Sequence, residues 1–379
     1  MKVGILTLPL HSNYGGNLQA LALMSAIREL GHEPILIARD KNRHPAWKVP
    51  LVLAKRMLMR ARGKNISIGA GIFDRADRAR IEVHSSAFIK RYIQPQTPKY
   101  TSSTELRQAA LAESIDAVVV GSDQVWRPEY APSIADYFLG FLPREKSIRR
   151  ISYAASFGSA GWTYSDADTR TCRSLAQRFD AISVREDSAV ELCQSHLGVR
   201  ATHVVDPTLL IDPSIYLNIA GLKAPTSGRG VLVYVLDQTN EKVQIIDTVC
   251  ASLNQMAFSV NSRTEDLSAP LSERVAPPTE DWLRGFCEAD FVVTDSFHAC
   301  VFAIIFNKPF IVYGNRSRGL GRFESLLRMF DLESRLVTDN RGDVSRIVRD
   351  PICWEKVNEC MKQQRTIGLE FLALALRGK

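Results

Sequence analysis

The chain has 379 residues, 45% of them hydrophobic and 23% charged, with a net charge of +7. That length exceeds one compact core and suits two α/β domains, and the lack of any run of about 18 apolar residues excludes a membrane-spanning helix. Its seven cysteines form neither a CxxC pair nor a Cys/His spacing, so reduced thiols are expected and a structural zinc is not.

Residues 2–8 read as a first strand, 18–30 as a helix and 34–38 as a second strand. Without a charged leader or cleavage site the opening is a strand rather than a signal, and the protein is expected in the cytosol. Between strand and helix stand Asn13, Tyr14, Gly15, Gly16 and Asn17, a turn whose backbone amides could approach a ligand. No GxGxxG accompanies it, so a bare tight turn stays equally open.

Residues 41 to about 110 form a helical insertion, with an amphipathic pattern over 73–92. Its basic run over 41–64 interleaves Trp47, Leu51, Leu53, Met57 and Leu58 with cations. It could lie on an anionic lipid surface, as a peripheral contact with the inner membrane face, or be a solvated helix with one face on the core. Nucleic acid fits the positive charge least, because basic residues are spread through the chain without a recognition motif.

A strand over 115–120 ends in a polar tip where Asp123 and Gln124 can bond sugar hydroxyls and Trp126 can stack on a pyranose; capping by Asp123 is the plainer alternative. Strands over 149–154 and 181–184 follow, and the second ends at Arg185, which could clamp an anion bidentately or simply pair with a neighbouring acid. A strand over 202–205 closes at Asp206-Pro207-Thr208, and the Pro/Gly/Ser-rich stretch 213–230 reads as a linker. The second half repeats the rhythm, with strands over 231–236, 258–260, 291–293 and 309–313. The third of these ends in Asp295, Ser296, Phe297 and His298, followed by a buried helix whose amino terminus favours an anion. Arg316, Arg318 and Arg322 lie in a basic Gly-rich loop, and 351–379 reads as a long helix that could cross back to the first domain.

The blocks NYGGNLQALAL, VVVGSDQVW, YAASFG, SVRED, VVDPTLL and TDSFHACVFAIIFNKPFIVYG, in that order, resemble the polysaccharide pyruvyl transferase family from the amino terminus to about residue 330. The resemblance implies two Rossmann-like domains facing across a cleft, as in the GT-B fold. Residues 1–212 would be the acceptor side and 231–350 the donor side. It implies transfer of a pyruvyl group from phosphoenolpyruvate to a sugar, lipid-linked or free, as a cyclic ketal, without metal or organic cofactor. It associates Arg185 and His298 with the donor. The family's histidine is often preceded by Arg-Leu or Arg-Phe, whereas Ser296-Phe297 stands here, so phosphate holding would pass to Arg316, Arg318 or Arg322. His298 then acts as general acid, Asp295 or Asp123 as base, and Asn13 to Asn17, Gln124 and Trp126 as acceptor wall. A nucleotide-sugar GT-B glycosyltransferase and a non-catalytic sugar- or anion-binding protein of the same fold are the alternatives.

Overall fold

The computed structural model describes residues 1–40, 49–61, 75–143, 147–264, 266, 268–314, 319–338 and 343–377. Its first half is built on β1 (Lys2–Leu6), β2 (Glu33–Leu36), β3 (Ala117–Val120), β4 (Arg149–Ala155), β5 (Ala181–Val184) and β6 (Thr202–His203). These pair in the order β2-β1-β3-β4-β5-β6, every pair parallel. The helices of this half are α1 (Tyr14–Glu29), α2 (Val49–Ala61), α3 (Arg75–Ile81), α4 (Val83–Tyr92), α5 (Ser103–Ala112), α6 (Ile134–Tyr137), α7 (Asp166–Ala176), α8 (Asp187–Leu192) and α9 (Pro213–Ala220).

The second half holds β7 (Val231–Tyr234), β8 (Ala257–Phe258), β9 (Phe291–Thr294), β10 (Phe310–Tyr313) and β11 (Leu336–Val337), again all parallel, in the order β11-β10-β9-β7-β8. Around them lie α10 (Asn240–Leu253), α11 (Leu271–Arg274), α12 (Thr279–Glu288), α13 (Phe297–Ile305), α14 (Leu320–Met329), α15 (Val344–Arg349) and α16 (Trp354–Arg377). Two all-parallel sheets covered by crossover helices are two Rossmann-like domains. The central strands AVVV and FVVT are apolar throughout because both of their faces are covered.

Three differences from the sequence reading have physical causes. First, α1 begins at Tyr14, four residues before its expected start, because Asn13 accepts a hydrogen bond from Gly16 N and caps the helix. The expected glycine turn is therefore its first turn. Second, the stretch read as a linker opens with α9, since Asp212 caps it and Pro213 sits at its first position, where a missing N–H costs nothing. Third, the amphipathic pattern over 73–92 is two helices, α3 and α4, meeting at Glu82; Phe73 lies outside the described residues.

One apolar core runs through both halves. It joins α1, α9, α12, α13 and α16 to the inner faces of the two sheets. All nine residues of α13 are buried, which explains why its sequence has no polar face. Helix α16 returns to the first sheet: Arg149 Nε donates to Ala375 O at 2.8 Å, and Phe371 packs on Tyr153. Gly368 lets this helix approach closely, for a Cβ there would meet Tyr153 Oη and stand 2.7 Å from Leu210 Cδ2. Gly368→Val is expected to destabilise the protein by about 1–3 kcal/mol through overpacking, measured as a lowered denaturation midpoint at unchanged slope.

Candidate active site

Strand tips from both domains meet on one carboxylate, Asp206, which is 1% exposed. Ser122 Oγ, after β3, donates to Asp206 Oδ2 at 2.9 Å, and Arg185 Nη1, after β5, donates to the same oxygen at 3.0 Å. Thr208 donates to Oδ1 from its backbone N at 3.1 Å and from Oγ1 at 2.8 Å. From the second domain, His298 Nε2 lies 3.6 Å from Oδ2. Burial works against the charge of Asp206, but His298, Arg185 and the Thr208 amide outweigh it and hold the carboxyl well below its usual range.

Arg185 is buried and nearly saturated. Nε donates to Glu186 Oε1 at 3.3 Å, and Glu186 also receives Ser156 Oγ at 2.6 Å from the tip of β4. Nη2 has no hydrogen-bond partner and lies 3.9 Å from Asp123 Oδ1. Burial opposes the guanidinium charge, yet Glu186, Asp206 and Asp123 together raise its pKa above the ordinary value. Its face rests on Phe297, 4.3 Å from the ring centroid, and Arg322 of α14 lies over the same ring at 5.8 Å. Burial and the charge of Arg185 push Arg322 down to about 10. The two guanidinia share one ring, Arg322 stands in the field of Arg185, and Asp123, Glu186 and Asp206 surround Arg185 itself.

His298 stands in the first turn of α13 and is 8% exposed, with an Nε2 that makes no hydrogen bond. The other side of the imidazole lies against Gly15 in the first turn of α1. A Cβ at position 15 would overlap the ring and stand 2.7 Å from His298 Cβ. The glycine is there to admit the histidine. Asp123 holds a left-handed backbone at φ 70°, a conformation that aspartate tolerates and that recurs where a side chain is aimed at a site.

Several expected site residues do other work. Asp295 is tied down by Lys242 Nζ at 2.7 Å and by the amides of Leu236 and Asp237 at 2.7 and 3.2 Å, so it fastens β9 to the loop after β7. Trp126 is fully buried, stacked on Phe138 at 4.8 Å and donating Nε1 to Tyr137 O at 3.0 Å, so it offers no face to a sugar. Gln124 Oε1 accepts from Arg127 Nη1 at 2.9 Å. Tyr14 donates to Pro277 O at 2.7 Å and stacks on Trp282, joining the domains, while Asn17 Nδ2 holds His11 O at 2.8 Å. Within the segment 13–17, the amides of Gly16 and Asn17 are held by Asn13, and Gly15 lies against His298. Ser296 precedes α13 and donates its own amide to Thr294 Oγ1 at 3.0 Å. Arg316 and Arg318 lie outside the described residues.

A cavity of about 570 Å³ opens in the first domain, between the tips of β1 and β2 and helices α3 and α4. His11, Arg39, Asp40, Arg78, Glu82 and Lys90 supply its polar walls. The loop that lines it, from Thr7 to His11, leads through two residues into α1 and Gly15. Among the described residues no three His, Cys, Asp or Glu side chains gather to hold a metal ion.

Residues 13–317 match the family model of polysaccharide pyruvyl transferase. The chain belongs to this family. No curated protein matches the sequence. Among solved structures, the Arabidopsis thaliana glycosyltransferase UGT89C1, complexed with UDP-L-rhamnose, superposes with a TM-score of 0.51 at 12% identity, covering 98% of each chain. The spinosyn rhamnosyltransferase SpnG superposes with a TM-score of 0.47 at 12% identity, covering 99% of this chain and 100% of that one. The likeness to UGT89C1 assigns the GT-B fold. The six sequence blocks characteristic of the resemblance end at the site: Gly15, Ser122, Ser156, Arg185, Asp206 and His298 belong to one block each. Sequence reasoning passes over Asp206 because Asp-Pro-Thr resembles a simple strand stop. Its position at the tip of a strand, like every other member of the cluster, is the signal that marks it.

Replacing Asp206 by Asn should lower stability at neutral pH by about 3–5 kcal/mol, because Arg185 is left without its nearest buried counter-charge. The folded-state pKa of Asp206 lies below its ordinary value of 3.8, so its contribution is present above that pH and fades as pH falls further. Denaturant titrations of both proteins at pH 7 and pH 3 should therefore show the gap narrowing at pH 3.

Proposed function

We propose that this site transfers the pyruvyl group of phosphoenolpyruvate to two hydroxyls of a sugar, forming a cyclic ketal and releasing phosphate, with the enzyme working in the cytosol. The observation that carries the reading is His298 Nε2: a buried nitrogen without a hydrogen-bond partner, 3.6 Å from an ionised carboxylate and close to the paired guanidinia. Protonation of carbon requires an acid held in place and shielded from water, and an unpartnered imidazole nitrogen is suited to that task.

The proton on Nε2 passes to the methylene carbon of the enol phosphate, and the adjacent carbon gains oxocarbenium character. One sugar hydroxyl adds there, the bond to the phosphate oxygen breaks, and the second hydroxyl closes the ketal. Of the two hydroxyl protons, one restores His298 and the other leaves on the phosphate. Asp206 stays ionised and steadies the imidazolium. Nη2 of Arg185 and the side chain of Arg322 hold the carboxylate and phosphate, aided by the amino terminus of α13. Asp123 takes the hydroxyl proton in transit, the role for which Asp295 is unsuited. None of these residues lines the 570 Å³ cavity, so the reacting hydroxyls lie outside it and the remainder of the acceptor is what its polar walls would hold.

Phosphate release on mixing the protein with phosphoenolpyruvate and candidate acceptors tests this reading, with mass spectrometry of the sugar product. His298→Ala should abolish release while its melting temperature stays near wild type, and an active variant would remove the mechanism. Gly15→Ala, which crowds the imidazole from the other side, should cut turnover roughly a hundredfold. Thermal stabilisation by UDP or GDP in place of phosphoenolpyruvate would indicate a nucleotide-sugar glycosyltransferase instead.

A further inference from the structure

Basic residues occur throughout the chain, but its net positive charge resides in one stretch. Residues 41–73 hold eight Lys or Arg and no Asp or Glu, and the rest of the chain has 40 Lys and Arg against 41 Asp and Glu. Without this stretch the protein would carry a net charge of −1. Helix α2, VPLVLAKRMLMRA, lies inside it and contributes Lys55, Arg56 and Arg60. Among its described side chains none is buried, and Leu51, Met57 and Leu58 are 65, 54 and 53% exposed. Leu51, Ala54 and Leu58 recur at helical spacing and share one face. Exposed large apolar side chains inside a strongly cationic, acid-free segment need a partner that is at once negative and apolar.

We propose that α2 docks the protein on an anionic lipid bilayer, lying in the headgroup layer with Leu51, Met57 and Leu58 inserted. Charge complementarity selects this occupant. A second copy would bring two cationic segments together, and nucleic acid would satisfy the cations but leave the apolar side chains in water. With 13 residues, α2 is too short to span a bilayer, and it suits the interface plane. Among the described residues no helix is long and apolar enough to cross a membrane. The same insertion supplies α3 and α4, which wall the 570 Å³ cavity, and the proposal extends to that cavity lying near the lipid surface. On the functional reading above, and only on it, an acceptor sugar carried on a lipid would meet the cavity there.

Co-sedimentation of the full chain with vesicles of phosphatidylcholine alone, or of phosphatidylcholine and phosphatidylglycerol in equal parts, tests the docking without reference to turnover. The protein is expected to sediment with the anionic vesicles only, and less so as salt is raised. The triple variants Leu51→Glu/Met57→Glu/Leu58→Glu and Lys55→Glu/Arg56→Glu/Arg60→Glu should each lower partitioning roughly tenfold or more, with melting temperature as the control for folding. The inference is overturned if wild type stays in solution with both vesicles, if either folded triple variant sediments like wild type, or if duplex DNA at equal phosphate concentration is bound more tightly than the anionic vesicles. Phosphate release on a water-soluble acceptor, assayed without vesicles, separates loss of docking from failure of the transfer reading.

Discussion

An ionised carboxylate shut away from water must be surrounded by donors, and Asp206 draws its donors from the first domain and faces His298 of the second at 3.6 Å. Left alone, such a charge would cost several times the net stability of an ordinary domain. The requirement is met by strand tips, Ser122 after β3, Arg185 after β5 and Thr208 beyond β6, while His298 beyond β9 stands close without a hydrogen bond. Parallel strands place all their carboxyl ends on one edge of a sheet, so two parallel sheets set edge to edge bring these residues together without any single loop having to reach. The positions of the chemistry-bearing groups therefore follow from satisfying one buried charge.

Phe297 shows how an uncharged ring positions charge. Its ring carries Arg185 on one contact and Arg322 on another, so a residue without charge organises two cations. One of these cations belongs to the first sheet's edge and the other arrives from α14 of the second domain, so the ring is also a point at which the two domains meet.

Much of the fold is legible in the sequence because apolar strands and polar tips alternate cleanly; β5 and β9 are readable almost to the residue. The site is less legible, for reasons that differ by residue. The pair Gly15-Gly16 signals a turn when read locally, yet Gly15 is helical and small because of an imidazole more than 280 positions away. Trp126 looks like a stacking platform because nothing in its neighbourhood discloses Phe138 and Phe179 closing over it. Asp295 and His298 are three positions apart with opposite fates, since the one at the end of β9 meets Lys242 and the other, in the first turn of α13, faces Asp206. Asp212-Pro213 reads as the opening of a linker, whereas α9, capped there by Asp212, is held in place by docking on α12 and α13. Each of these misreadings concerns a long-range partner, which residue type and spacing do not encode.

Helix α13 is enclosed on every side. Phe302 meets Tyr216 of α9 and Trp282 of α12, while His298, one turn earlier, touches the first domain at Gly15 and Asp206. A wide hinge motion that parted the two sheets would strip this helix of its cover and expose an unbroken apolar surface, at a cost comparable to unfolding it.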